Sequence, residues 1–260
     1  VEVVIVPDPK AAGVVVADAV SRLIERRPTA VLGLATGGSP LPVYRELSRR
    51  VADGRLSLRA AQAFLLDEYV GLPPGHPQAY RSVIRRDLLD GVDLPDEAVR
   101  GPDGAAADLE AECRAYEAAI ADAGGIDLQI VGIGGDGHIG FNEPASSLAS
   151  RTRIKTLTAH TRADNARFFG RPEAVPRHVI TQGIGTILES RHLVLIVTGA
   201  AKAEAIARAV EGPLTAMVPA SAIQLHPRAS VVVDEAAAAR LALADYYRDA
   251  LAGKPGWQGL

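Results

Sequence analysis

The chain has 260 residues, 48% of them hydrophobic and 23% charged, which is enough apolar material for a sizeable core and excludes disorder as its main state. Its 28 basic and 31 acidic side chains leave a formal charge of -3, which argues against nucleic-acid partners, since gripping a phosphate backbone calls for a basic excess. One cysteine, Cys113, closes no internal disulfide and builds no cysteine metal cluster, and the six histidines, which could still ligate a metal, include no His-x-x-x-His pair.

The elements are expected in this order. Val1 to Val6 reads as a buried strand, and Asp8 caps a helix that runs to about Ile24. Ala30 to Ala35 is a second strand, followed by a helix from Pro40 to about Ala52 with Ser39 as its N-cap. Ala61 to Leu66 is a third strand ending at Asp67 and Glu68, with helices next around Gln78–Leu89 and Ala106–Ala123. Ile126 to Ile133 is a fourth strand, and Arg151 to Thr158 alternates like a half-exposed one. After a short helix at Arg162–Phe169 come the apolar strand His192–Thr198, a helix from Lys202 to Glu211, and a short piece at Ser221–Leu225. The strand Ser230–Val233 and a helix from Asp234 to about Leu251 close the chain.

Short apolar strands that do not alternate, separated by helices, imply an α/β fold. The expectation is one Rossmann-like domain over residues 1–260, with a largely parallel central sheet and helices on both faces. No apolar run reaches about 18 residues, so no membrane span is expected. The first residues also lack the basic segment of a signal peptide. A soluble protein of a reducing, cytoplasmic compartment follows.

Polar, glycine-rich clusters stand at strand ends, where open α/β sheets bind ligands. Gly37, Gly38 and Ser39 form a tight turn at a helix start, which suits a phosphate, although a ligand-free turn reads equally well. The GxxxxGK[ST] spacing of nucleotide-hydrolysing loops is absent. Asp67 and Glu68 offer a base, Asp67 being the better candidate as the first polar group beyond the buried strand, with the inward-facing one undecided by periodicity. Gly132, Gly134 and Gly137 satisfy GxGxxG, but the following Asn142–Glu143–Pro144 breaks the helix a dinucleotide site needs. The same loop brings Asp136, His138 and Glu143 toward one volume, where acids fix and tune a proton-carrying histidine. A metal bound by these three is the weaker reading. Arg151, Arg153, Lys155, Arg162, Arg167 and Arg171 face a single acid, Asp164, in a stretch suited to an anion. Lys202 repeats the strand-end placement.

The segments GLATGGSP, FLLDEYVGLP, GIGGDGHIGFNEPASSLASRTRIKTLT and the late Gly199–Lys202 stretch resemble the glucosamine-6-phosphate deaminase family, in order and along essentially the whole chain. The wider superfamily, which includes 6-phosphogluconolactonases, shares the GDGH element, and DEY and FNEPASS favour the deaminase branch. The resemblance implies conversion of D-glucosamine 6-phosphate and water to D-fructose 6-phosphate and ammonia, a hydrolase of amino-sugar catabolism with no metal or redox cofactor. By it, Asp67 is the base moving a proton between C2 and C1. His138 assists ring opening, with Asp136 and Glu143 as its partners. Gly37, Gly38, Ser39, Arg167 and Lys202 hold the phosphate, and residues 153–176 form a mobile lid. It further implies an allosteric homohexamer with N-acetylglucosamine 6-phosphate as effector, bound between subunits at Ser146, Ser147, Arg153 and Lys155, with Tyr246 associated. A lactonase-like hydrolase and a non-catalytic sugar-phosphate sensor are the alternatives.

Overall fold

The computed structural model describes residues 1–255 and 258–260, the side chain at position 160 excepted. In chain order the elements are β1 (Glu2–Val6), α1 (Pro9–Arg26), β2 (Val31–Leu34), α2 (Leu41–Ala52), β3 (Gln62–Leu65) and β4 (Asp67–Tyr69). Next come α3 (Tyr80–Asp87), β5 (Val99–Arg100), α4 (Leu109–Asp122), β6 (Leu128–Val131), β7 (Arg153–Thr156) and α5 (Ala159–Phe169). Then follow β8 (His178–Thr181), α6 (Ile184–Leu188), β9 (Leu193–Val197), α7 (Ala203–Val210), β10 (Ala229–Asp234), α8 (Glu235–Ala238) and α9 (Ala244–Ala252).

Seven strands form one sheet in the order β1-β10-β9-β6-β2-β3-β5, every pair parallel. The apolar runs are explained by the two cores they serve. On β9, Val194 and Ile196 pack with α1 and α2 on one face, while Leu193, Leu195 and Val197 pack with α6 and α7 on the other. A strand whose successive side chains point to opposite, equally buried faces has no polar position to alternate with. Each such side chain adds about 1.5–3 kcal/mol of burial.

From β2 the chain steps outward to β3 and β5, and from β6 it steps the opposite way to β9 and β10. Strand order therefore reverses between the neighbours β2 and β6, and their carboxyl ends open a crevice. A second sheet, β4-β8-β7, is antiparallel and stands beside it. Leu66 joins the two: its N–H donates to Leu34 O in the main sheet at 2.8 Å, and its carbonyl accepts Gln182 N–H, just past β8, at 2.9 Å. Asp67 is thus the first residue across the seam.

Several elements differ from expectation for physical reasons. Ser39 makes no capping bond. Pro40 occupies the N-cap position of α2, which starts at Leu41. The helix expected from Arg162 begins at Ala159, because Thr158 Oγ1 accepts Thr161 N–H at 3.1 Å and caps it earlier. The single closing helix is two, α8 and α9. Glu211 on the preceding turn captures the N–H groups of Ala242 and Leu243 at 2.8 and 2.9 Å, withdrawing them from a continuous helix. No helix among the described residues is long and apolar enough to cross a membrane.

Candidate active site

Four adjacent strands, β9-β6-β2-β3, carry four polar clusters at their carboxyl ends: Lys202, the 134–143 loop, the Gly37–Gly38–Ser39 turn and Asp67. Their separation in sequence disappears in the sheet. The loops after β2 and β6 touch, since a Cβ built on Gly132 would lie 3.9 Å from Ser39 Cβ.

The Gly37 turn is open. Gly37 takes φ +100°, which a side chain strains to adopt, and a Cβ on Gly37 or Gly38 would meet nothing within 4 Å. Backbone and the uncapped Ser39 hydroxyl therefore border free space at the start of α2, a setting that favours an anion. Lys202 follows β9 on a turn tied to β10 by Asp234, whose carboxylate accepts Gly199 N–H at 3.0 and 3.1 Å. Burial pulls the Lys202 ammonium below its ordinary pKa, the nearby charges of Asp164 and Asp136 oppose that, and Arg167 adds to it. Lys202, Asp136 and Arg167 are thus electrostatic neighbours. Arg167 extends from α5 with its guanidinium 4.7 Å over the Phe168 ring. The rest of the basic stretch is not one face. Arg151 is taken up by Glu117 and Glu189, each at 2.5 Å, and Arg153 donates to Asn142 Oδ1 at 2.8 Å.

Asp67 and Glu68 separate by the strand's own alternation. Glu68 turns to α3, where its carboxylate accepts the N–H groups of Tyr69, Tyr80 and Arg81 at 2.8, 2.8 and 2.9 Å and serves the helix start from twelve residues away. Asp67 is 5% exposed. Burial pushes its pKa well above the usual carboxylate range, and the adjacent Glu68 charge pushes it further. The tyrosines 44, 69, 80 and 116 all feel its charge. A desolvated carboxylate of this kind is a stronger base than one in water.

On the loop after β6, Nδ1 of His138 lies 2.7 Å from Asp136 Oδ1. The His138 backbone N–H also donates to the same oxygen at 3.1 Å. His138 beside it holds the Asp136 carboxyl down at about 2. Gly134 makes room for the ring, because any Cβ there would collide with the imidazole. Gly137 at φ +91° turns the loop under Val218. Glu143 is buried but engaged by Thr158 and Thr161 at the start of α5, so its contacts run to that helix rather than to the Asp136–His138 pair.

The residues read as regulatory lie on different elements. Ser146 is buried with an unpartnered hydroxyl, and Ser147 Oγ accepts Ala149 N–H at 3.3 Å. Arg153 and Lys155 lie on β7 of the small sheet. Tyr246 lies on α9, 65% exposed, against Tyr247. Sequence reasoning missed β8 and the buried Thr161, although Thr158 ahead of the helix was a readable N-cap. Among the described residues no group of three or more His, Cys, Asp or Glu side chains is arranged to hold a metal ion.

Parallel strands that bring an open glycine turn, a lysine, a buried carboxylate and a histidine–aspartate pair to one switch point are the arrangement of an α/β enzyme. The sequence model described as "Glucosamine-6-phosphate isomerases/6-phosphogluconolactonase" matches residues 9–233, and the chain belongs to that family. It is 61% identical over 260 residues to a glucosamine-6-phosphate deaminase of Streptomyces coelicolor, covering 100% of both chains. Among solved structures, a monomeric glucosamine-6-phosphate deaminase superposes with TM-score 0.90 at 39% identity, over 92% of this chain and 100% of that one. A 6-phosphogluconolactonase from Trypanosoma brucei shares the fold at TM-score 0.74 and 18% identity, over 93% of this chain and 98% of the other. The monomeric relative overturns the expected homohexamer.

Proposed function

We infer that this protein is an isomerising deaminase that converts D-glucosamine 6-phosphate and water to D-fructose 6-phosphate and ammonia. The observation that carries the reading is Asp67: a desolvated carboxylate of raised basicity, at the seam of two sheets, in a chain 61% identical to a glucosamine-6-phosphate deaminase.

The proposed steps follow from the residues. Gly37, Gly38 and Ser39, with Lys202 and Arg167, grip the phosphate. His138, oriented by Asp136 and aided by Glu143, moves a proton at the ring oxygen and opens the pyranose. Asp67 removes the proton from C2, leaving an enolamine, and returns it to C1, so that C2 becomes an imine. Water adds at C2 and ammonia leaves, which balances one water in against one ammonia out. Every step is a proton transfer, hydration or elimination, and none moves electrons to or from a cofactor. Residues 153–176, carrying β7 and α5, act as a lid in this reading. Phe169 from that segment packs on Tyr69 at 5.4 Å, next to Asp67. A phosphorylated sugar stays in the compartment where it is made, which supports a cytoplasmic setting.

The test is a coupled measurement of ammonia and fructose 6-phosphate from glucosamine 6-phosphate, in chelator and without nicotinamide, beside 6-phosphogluconolactone as a control. Stoichiometric release of both products is expected. No ammonia from folded protein would defeat the reading, and turnover of the lactone alone would replace it.

A further inference from the structure

Glu143 is held from two directions. Its backbone belongs to the active-site loop: its N–H donates to Phe141 O at 3.1 Å, and its carbonyl accepts Ser146 N–H at 3.0 Å. Its carboxylate belongs to the start of α5. Thr158 N–H at 3.5 Å, Thr158 Oγ1 at 3.1 Å and Thr161 Oγ1 all converge on one atom, Oε1. The described residues send no hydrogen bond to Oε2. Thr161 is 4% exposed, so its hydroxyl has no bulk water to turn to. The two hydroxyls also lie 3.0 Å apart, and Thr158 Oγ1 is the atom that caps the helix. An anion at this point is further favoured by the unpaired N–H groups and positive dipole end of the helix.

We propose that Thr158 and Thr161 are positioning residues for the deamination. They clamp Oε1 of Glu143 to the amino end of α5, so that only Oε2 is presented to reacting atoms. The location of α5 over the site then sets where that oxygen lies relative to the Asp136–His138 pair. The clamp makes Glu143 a strap between loop and helix, so movement of α5 and delivery of the carboxylate become one event. This rests on the reading of Glu143 as a participant in ring opening.

Thr161 is the residue to test, because Thr158 also caps the helix and its loss would perturb α5 itself. Thr161→Val keeps the shape and removes the hydroxyl, while Thr161→Ser keeps the hydroxyl. Steady-state kinetics with glucosamine 6-phosphate should show kcat lowered by about tenfold or more in Thr161→Val, as loss of a bond to a charged group implies. KM should stay within about twofold, since the phosphate grip is untouched. Thr161→Ser should recover most of the rate. In a Glu143→Gln background Thr161→Val should add little, because both changes act through one carboxylate. Additive losses in the double variant would overturn the proposal. So would equal losses in Thr161→Ser and Thr161→Val that track a lowered unfolding temperature. Impaired Glu143→Gln beside unimpaired Thr161→Val would overturn the positioning alone, whereas a fully active Glu143→Gln would remove the reading beneath it and the proposal together.

Discussion

Glu68 accepts the backbone N–H of Tyr80 at 2.8 Å, and that bond decides what its neighbour Asp67 does. One acid of the pair is spent on the start of α3, and strand alternation turns the other away from it. The capping acid remains electrically present, since its charge raises the basicity of Asp67.

Asp67→Asn should therefore abolish turnover while leaving phosphate-sugar binding intact. A general base contributes about 10²–10⁴-fold, and the loss should fall in kcat rather than KM. The same change should raise stability. An acid whose pKa is raised by folding stabilises the fold only while protonated, and that stability is lost as pH rises through the folded value. At a working pH where the base is ionised, a neutral Asn relieves the cost, so denaturant midpoints should rise relative to wild type. Undiminished kcat in a folded variant would remove Asp67 from this role.

Glu68→Gln separates the two functions of the pair. Removing its charge takes away the second cause that raises Asp67, so the acid limb of the kcat/KM profile should move to lower pH. A neutral amide oxygen still accepts the N–H groups at the start of α3, though more weakly, and a loss of about 1–2 kcal/mol in urea unfolding is expected. An unmoved limb would mean that burial alone sets the basicity of Asp67.

The main sheet was legible because its strands are apolar on both faces, as the alternate packing of Val194 and Leu195 into opposite cores explains. The glycine turns were legible at strand ends for a related reason, since Gly37 and Gly137 must take positive φ. Of the small antiparallel sheet only β7 was, as the alternating strand expected at Arg151–Thr158. Asp67–Glu68–Tyr69 becomes a strand only by pairing with residues 179–181, more than a hundred positions away, and no local pattern carries that pairing. The role of Glu68 was hidden likewise, because its partners are brought to it by tertiary structure. The mistaken Ser39 cap had a local cause, namely that Pro40 displaces the helix start by one residue.

Gly134→Ala examines the histidine directly. The added methyl would enter the space of the His138 ring, where imidazole or loop has to move. A displacement of about 1 Å at a reacting group costs about 10²-fold, so kcat/KM should fall by that order. Gly135→Ala, one residue on, meets nothing within 4 Å and should stay within about twofold of wild type in the same assay. Equal activities of the two variants would contradict the crowding at 134.

Far from the crevice, His192 makes a prediction about the fold alone. It is 4% exposed, with Nε2 2.9 Å from Ser230 Oγ, and burial lowers its pKa to about 4, aided by Arg228, His226 and Lys254. Unfolding frees it to take up a proton near pH 6.5, so below that pH the unfolded chain binds more protons than the native one. Stability from this residue is complete above about pH 6.5 and is lost as pH falls toward about 4, where the native state also protonates. Between pH 7 and pH 5 the loss should be about 2 kcal/mol. His192→Gln cannot take up that proton. Urea unfolding of both proteins at the two pH values should show the wild type losing more, and identical pH dependences would assign the loss to other groups.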